Sequence, residues 1–330
     1  MGRTARAAAL LLAASAAACG GEPASAPAPA AAVVRIGHFP NVTHAHGLVA
    51  HGLARKGKGW FEERLGPGVK VEWYGTYNAG PSAMEAMLAG SLDLVYVGPN
   101  PVLNAYVRSR GEEIRVLAGA TRGGAALVVR EASGIREPKD FRGKRIATPQ
   151  FGNTQDVACR AWLMGHGFEI RVTGGDATVL PMANPEQLAL FRSGELDAAW
   201  TVEPWVSRLE AEGGGRVLLE EKDALTTVFA ASTRFLKASP DLARKAVAAH
   251  RELTAWLVAN PEEAKSRVRE ELLALTTREV PADLIDRCWR RLRFDDAVSR
   301  EEFDAFVKAA GKAGLLAESY DLGRLVEENP

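Results

Sequence analysis

From Val33 to Val202, short apolar runs alternate with stretches whose apolar residues recur every three or four positions. The runs are VVRIGHF (33–39), VKVEWYG (69–75), LDLVYVG (92–98), IRVLAGA (114–120), ALVVRE (126–131), KRIATP (144–149), ATVLPM (177–182) and LDAAWTV (196–202). Runs this short, separated by helical periodicity, predict strands of an α/β architecture with largely parallel pairing. From about Ser239 onward the pattern predicts helices alone, with PDLARKAVAAHRELTAWLVANPEEAKSRVREELL and REEFDAFVKAAGKAGLL both amphipathic. Such a tail must cover something, and packing against one lobe as scaffold is the simplest expectation.

In open α/β sheets, ligands bind beyond the carboxyl ends of strands, where turns lead into helix N-termini. The turns here are FPNVTHA (39–45), TYNAGPSA (76–83), VGPNPVLNAY (97–106), TPQFGNTQD (148–156) and TVEPW (201–205). They are rich in Gly, Pro, Asn, Thr and aromatics, which offer backbone amides and neutral donors beside flat apolar surface. That is the chemistry of binding more than of catalysis. In the fourth turn Gly152 permits a tight bend, Asn153 or Thr154 can cap, and Gln155 and Asp156 fall in the first helical turn. Free amides at such a terminus favour an oxyanion.

The first turn holds four of the six histidines, His38, His44, His46 and His51. With Thr43 as N-cap, Ala45, Leu48, Val49, Gly52 and Leu53 form one apolar stripe. His44 and His46 then point about 200° apart and cannot chelate one ion. No Asp, Glu or Cys lies in the stretch to complete a metal shell. His44 is expected to give a ligand an imidazole donor, whereas His46 and His51 are expected at the surface. A metal-binding lipoprotein using His38 to His51 is the competing reading.

With 41 basic and 41 acidic side chains the net charge is zero, which gives no general attraction to nucleic acid. The N-terminus MGRTARAAALLLAASAAAC places Arg3 and Arg6 before an apolar run too short to span a bilayer, the pattern of an export signal over 1–18. Small residues running into Cys19 resemble a bacterial lipobox, which implies lipidation of Cys19 and a membrane anchor. The stretch 19–32 reads as an Ala/Pro-rich tether. Cys159 and Cys288 are expected as buried free thiols in different lobes. No cofactor is implied.

The segments GSLDLVYVGPNPVLNAY, GGAALVVREASGIREPKDFRGKRIATPQFGNTQDVACRAWL and LFRSGELDAAWTVEPWVSRL resemble the solute-binding proteins of nitrate, sulfonate and taurine ABC importers. The likeness runs in order from about Val33 to about Leu236. It implies a two-lobed, type II periplasmic-binding-protein fold with a helical C-terminal extension. Residues 33–121 with 226–330 would form one lobe and 124–223 the other, with crossovers at GGAALVV and LTTVFAAS. The implied role is an extracytoplasmic, monomeric solute-binding lipoprotein that delivers a small anion or zwitterion to an ABC permease and its ATPase. Carried over position by position, the contacts would come from Phe39, Asn41, His44, Asn78, Gly80, Ser82, Gly98, Pro99 and Asn100 in the first lobe. Gly152, Asn153, Thr154, Gln155, Glu203 and Trp205 would supply the second. Trp205 would pack on the ligand's carbon chain or sit in the core. Glu203 would repel a bare anion, so it implies either an ammonium-bearing ligand such as taurine or a helix-capping role outside the pocket.

The same fold serves pyrimidine-precursor binding and synthase-like enzymes, but these carry a cysteine cluster that is missing here. No nucleophile–base pair or nucleotide fingerprint stands out, and the EGGGR stretch lacks the strand–turn–helix context of a phosphate loop. A regulator's effector domain would need a DNA-binding helix-turn-helix where this chain has a leader. A sensory lipoprotein that hands its ligand to a receptor shares every feature of the transport reading.

Overall fold

The computed structural model describes residues 32–75, 77, 79–172, 174–316 and 320–327. The leader, Cys19, nearly all of the tether and Asn78 lie outside the described residues. Eight strands fall on the eight apolar runs: β1 (Ala32–Gly37), β2 (Val69–Tyr74), β3 (Leu94–Val97), β4 (Ile114–Gly123), β5 (Ala125–Arg130), β6 (Arg145–Thr148), β7 (Thr178–Pro181) and β8 (Ala198–Val202). Three more follow, β9 (Gly215–Glu220), β10 (Leu225–Ser232) and β11 (Leu292–Phe294). The last of these interrupts the tail that periodicity alone assigns to helices.

The strands form two sheets, one ordered β11-β4-β10-β3-β1-β2 and the other β7-β6-β8-β5-β9. Pairing is mixed and not largely parallel. β1 runs parallel to β2 and β3, but β10 is antiparallel to both β3 and β4, and β5 is antiparallel to β8 and β9. β10 follows directly on the second sheet's last strand, so it enters the first sheet from the opposite end. Strands buried on both faces read as continuous apolar runs. Thus Phe229 and Ala231 of β10 enter one core layer while Val228 and Ala230 enter the other. Leu127 and Val129 of β5 alternate with Ala126 and Val128 in the same way.

The helices are α1 (Ala45–Arg55), α2 (Trp60–Leu65), α3 (Gly80–Leu88), α4 (Pro99–Arg108), α5 (Thr154–Gly165), α6 (Asn184–Ser193), α7 (Trp205–Gly213), α8 (Thr233–Ala238), α9 (Pro240–Ala259), α10 (Pro261–Thr276), α11 (Ala282–Arg290) and α12 (Glu302–Lys312). The C-terminal group packs α9 on α2 and α10 on α1, and their apolar faces join the first sheet's core. It does not stop at one lobe, because α11 also meets α7 and α12 also meets α5. Cys159 on α5 and Cys288 on α11 are free and buried.

The histidines correct the expectation of a surface face. His46 is fully buried, 2.9 Å from Thr254 Oγ1, stacked on Tyr96 and tilted against His250. His250 Nε2 lies 2.7 Å from the Gly119 carbonyl, so it carries the proton and Nδ1 accepts from the Tyr96 hydroxyl. His51 Nδ1 faces both His38 Nε2 at 2.9 Å and Glu271 Oε1 at 3.1 Å. The sequence pattern missed this because the partners come from distant helices, Thr254 lying 208 residues from His46. Among the described residues no group of His, Cys, Asp and Glu is arranged to hold a metal ion.

Burial drives the imidazole of His44 down to about 3 and those of His51 and His250 to about 4, and holds His38 and His46 well below 6.5. Each is neutral in the fold but protonates in the unfolded chain below about pH 6.5. Stability is therefore complete above that pH and is lost as pH falls toward the folded values, by up to about 1.4 kcal/mol per pH unit per histidine. Glu221, pushed up to about 7 by burial, and Glu271, also raised, act in the opposite direction over part of this range but are fewer. The melting temperature should therefore drop between pH 7 and pH 5. An unchanged or higher value at pH 5 would contradict the neutral-histidine core.

Candidate functional site

Turns from both sheets meet at one cleft. The β1–α1 turn brings Phe39, Asn41, Thr43 and His44, α3 brings Ala79 and Gly80, and the β3–α4 turn brings Gly98 and Pro101. Opposite them stand Pro149, Asn153, Thr154 and Gln155 of the β6–α5 turn, with Asn184 of α6, Val202 of β8 and Thr226 of β10. The cleft is partly open, and its atom-free volume is about 410 Å³ with the solvent at its mouth included. Among the described residues no ionised side chain lines it.

Neutral donors dominate. Asn153 caps α5, its side chain accepting from the Asp156 amide at 2.8 Å, with Gly152 before it at φ +74°. The first-turn amides of Thr154 and Gln155 have no intrahelical acceptor and face the positive end of the helix dipole toward the cleft. Across from them a 3₁₀ turn, Val42–His44, precedes α1, so Thr43 is not the cap of that helix. Its hydroxyl is buried without a partner, as are His44 Nδ1 and the side-chain Nδ2 of Asn100. Burying a hydroxyl or amide without a hydrogen bond costs about 1–3 kcal/mol, so these groups mark a place built for something else. His44 is a neutral imidazole whose N–H bonds to the Tyr96 carbonyl, so its free Nδ1 is an acceptor and not the expected donor; the Phe39 ring lies edge-on at 4.6 Å.

The two walls touch at Gly98. A Cβ there would lie 2.5 Å from Thr154 Oγ1, and the backbone N–H of Asn100 donates to the same oxygen at 3.4 Å. Only a glycine lets Thr154 close on the first turn of α4.

Glu203 does not line the cleft. Its carboxylate, fully buried, accepts from the Ser207 amide at 3.1 Å, the Ser207 hydroxyl at 2.8 Å and Arg291 Nη1 at 2.9 Å, with Cys288 Sγ at 3.3 Å. It caps the start of α7 and anchors α11. Its backbone also accepts from the Val42 amide and donates to the Gly124 carbonyl. A buried carboxylate left unpaired is prohibitive, and Arg291 lies 88 residues away, beyond what the TVEPW turn reveals.

Other expected positions spread around the cleft. Ser82 donates to the Ala79 carbonyl at 2.8 Å, a first-turn bond within α3 that takes its hydroxyl out of the lining. Pro99 opens α4 behind Gly98, and Gly152 faces a neighbouring groove beside Asn104. Asn100 borders an adjoining chamber, and Trp205 lines a second one while donating from its indole to Asn41 Oδ1 at 3.0 Å. Sequence reasoning passed over Thr43 as a contact, and over Ala79, Pro101, Pro149, Asn184, Val202 and Thr226. Asn184 carried a usable signal, since ANPEQ follows β7 in the same strand-to-helix context as the recognised turns.

Two helix-flanked sheets whose strand-end turns face each other across a cleft define the periplasmic-binding-protein fold. The structure matches the alkanesulfonate-binding protein SsuA from Xanthomonas axonopodis pv. citri bound to MOPS, with a TM-score of 0.72 at 23% identity over 92% of this chain and 100% of that one. The chain belongs to the NMT1-like family, whose model matches residues 27–270. It is 26% identical over 219 residues to a putative aliphatic sulfonates-binding protein of Bacillus subtilis (strain 168), covering 64% of this chain and 63% of that one. It is 29% identical over 146 residues to the taurine-binding periplasmic protein of Escherichia coli (strain K12), covering 44% and 43%. The matched stretches thus span less than two thirds of either relative.

Removing one partner of a buried ion pair costs about 3–5 kcal/mol because the other charge stays buried. Arg291→Gln should therefore destabilise the protein by about 3 kcal/mol in urea unfolding, with Glu203→Gln in the same background restoring part of the loss. Near-wild-type stability in the single variant would show that Glu203 does not depend on Arg291.

Proposed function

We propose that the protein is an extracytoplasmic solute-binding component of an ABC importer, and that its cleft holds a small organic oxyanion of the sulfonate class through neutral donors. The observation that carries this is a cleft with an unpartnered hydroxyl on Thr43, a helix N-terminus opposite it and, among the described residues, no ionised side chain in the lining. Amides and hydroxyls at helix termini suit a permanent anion, which needs no proton bookkeeping and gains from the dipole. The similar proteins that bind aliphatic sulfonates, taurine and alkanesulfonates agree with that chemistry. Two lobes, residues 33–121 with 226–330 and residues 124–223, would close on the solute by bending near Gly123–Gly124 and at 221–224.

Because Glu203 is committed to Ser207 and Arg291, no carboxylate among the described residues lines the cleft to hold an ammonium group, and plain sulfonates fit better than taurine. Export and anchoring through Cys19 complete the reading. No helix among the described residues is long and apolar enough to cross a membrane, so on this reading the lipid supplies the attachment. Cys19→Ser should then move the protein from the membrane to the soluble fraction, and continued sedimentation with membranes would refute the anchor.

Hydrogen bonds to an ionised partner are worth about 1.5–3 kcal/mol. Thr43→Val, which keeps shape and removes the hydroxyl, should weaken ethanesulfonate binding about ten- to a hundredfold by calorimetry. Asn153→Ala should do the same while also costing about 1 kcal/mol of stability through the lost cap. Unchanged affinity in both variants would put the ligand elsewhere.

A further inference from the structure

The cleft continues into two larger chambers of opposite electrostatic character. One, reached past Thr154, Gln155 and Thr226, is bordered by the carboxylates of Asp223 and Glu302, and its arginine, Arg122, is already paired with Asp295 and Glu302. The other shares Asn41 and Asn184 with the cleft and has an atom-free volume of about 1000 Å³, open solvent included. Tyr77, Trp205, Leu272 and Val280 give it apolar walls, Arg208 and Arg278 lie in the same lining, and no carboxylate is among them. An anion's far end is repelled by the first chamber and accommodated by the second.

The two arginines differ. Arg208 is held by Glu212 at 2.8 Å and lies over the Trp205 ring. Arg278 is exposed, and its guanidinium has no partner among the described residues. Its backbone, by contrast, is pinned. Thr277 sits at φ +57°, a left-handed conformation that a β-branched residue adopts only under constraint. The Arg278 amide donates to Thr276 Oγ1 at 3.3 Å, and Arg269 holds the Val280 carbonyl at 2.9 Å. A strained, tied-down turn thus presents one free cation to an apolar chamber that opens from the binding cleft.

We infer that this chamber receives the body of the bound solute and that Arg278 selects solutes carrying a second acid at the far end, organosulfonates ending in a carboxylate. The inference rests on the sulfonate reading of the cleft. With the sulfonate against the Asn153 terminus, the carbon body lies along Trp205 and Tyr77, and the guanidinium meets the carboxylate as a planar, bidentate partner.

The test is a calorimetric series on the whole protein: sulfoacetate, 3-sulfopropionate and 4-sulfobenzoate against methanesulfonate, ethanesulfonate and benzenesulfonate, at low and high salt, for the unmodified chain and for Arg278→Gln. At least one dianion should bind about fivefold tighter than its partner at low salt, as for an exposed ion pair. The preference should shrink with salt and vanish in Arg278→Gln, whose melting temperature should match the unmodified protein because the side chain is exposed. Monosulfonates binding with no dianion preferred would overturn the inference and leave the proposed function standing. A preference that survives Arg278→Gln would overturn the role of Arg278. Failure of every sulfonate to bind would overturn the sulfonate reading and this inference together.

Discussion

The buried carboxylate of Glu203 ties the molecule together. It stands where the end of β8, the first turn of α7, the Gly124 crossover, the Val42 turn and the C-terminal helix α11 converge, and it bonds to each of them through side chain or backbone. A charge so placed is tolerated only with its lone pairs filled. Arg291 fills them and extends to Glu210 at 2.9 Å, which recruits the C-terminal extension to both sides of the cleft. The extension therefore acts as more than a cover for the first sheet.

With that charge neutralised, the cleft is left with polar groups that carry no formal charge. Recognition of an anion then falls to oriented dipoles: the start of α5 and the Thr43 hydroxyl. Such groups cost little to desolvate compared with an arginine, and they leave no buried cation stranded when the cleft is empty. Gly98 completes the arrangement by letting Thr154 reach the first turn of α4.

The sequence carried the frame clearly. Eight apolar runs became eight strands, and the turns after them supplied most of the cleft, including the capping Asn153 behind Gly152. Those features are local, set by periodicity and turn chemistry. What stayed hidden depends on partners distant in sequence. His46 and His51 looked like surface residues because Thr254 and Glu271 come from α9 and α10, and Glu203 stayed open between a ligand contact and a helix cap because Arg291 follows α11. The short strand β11 escaped notice because three residues offer no periodicity to read.

The central claim is that the cleft recognises an anion without any carboxylate to hold an ammonium. Calorimetric titration of the unmodified protein with ethanesulfonate and with taurine, which differ only by the amino group, tests it most directly. Ethanesulfonate should bind at least as tightly as taurine; taurine binding tenfold or more tightly would contradict the account.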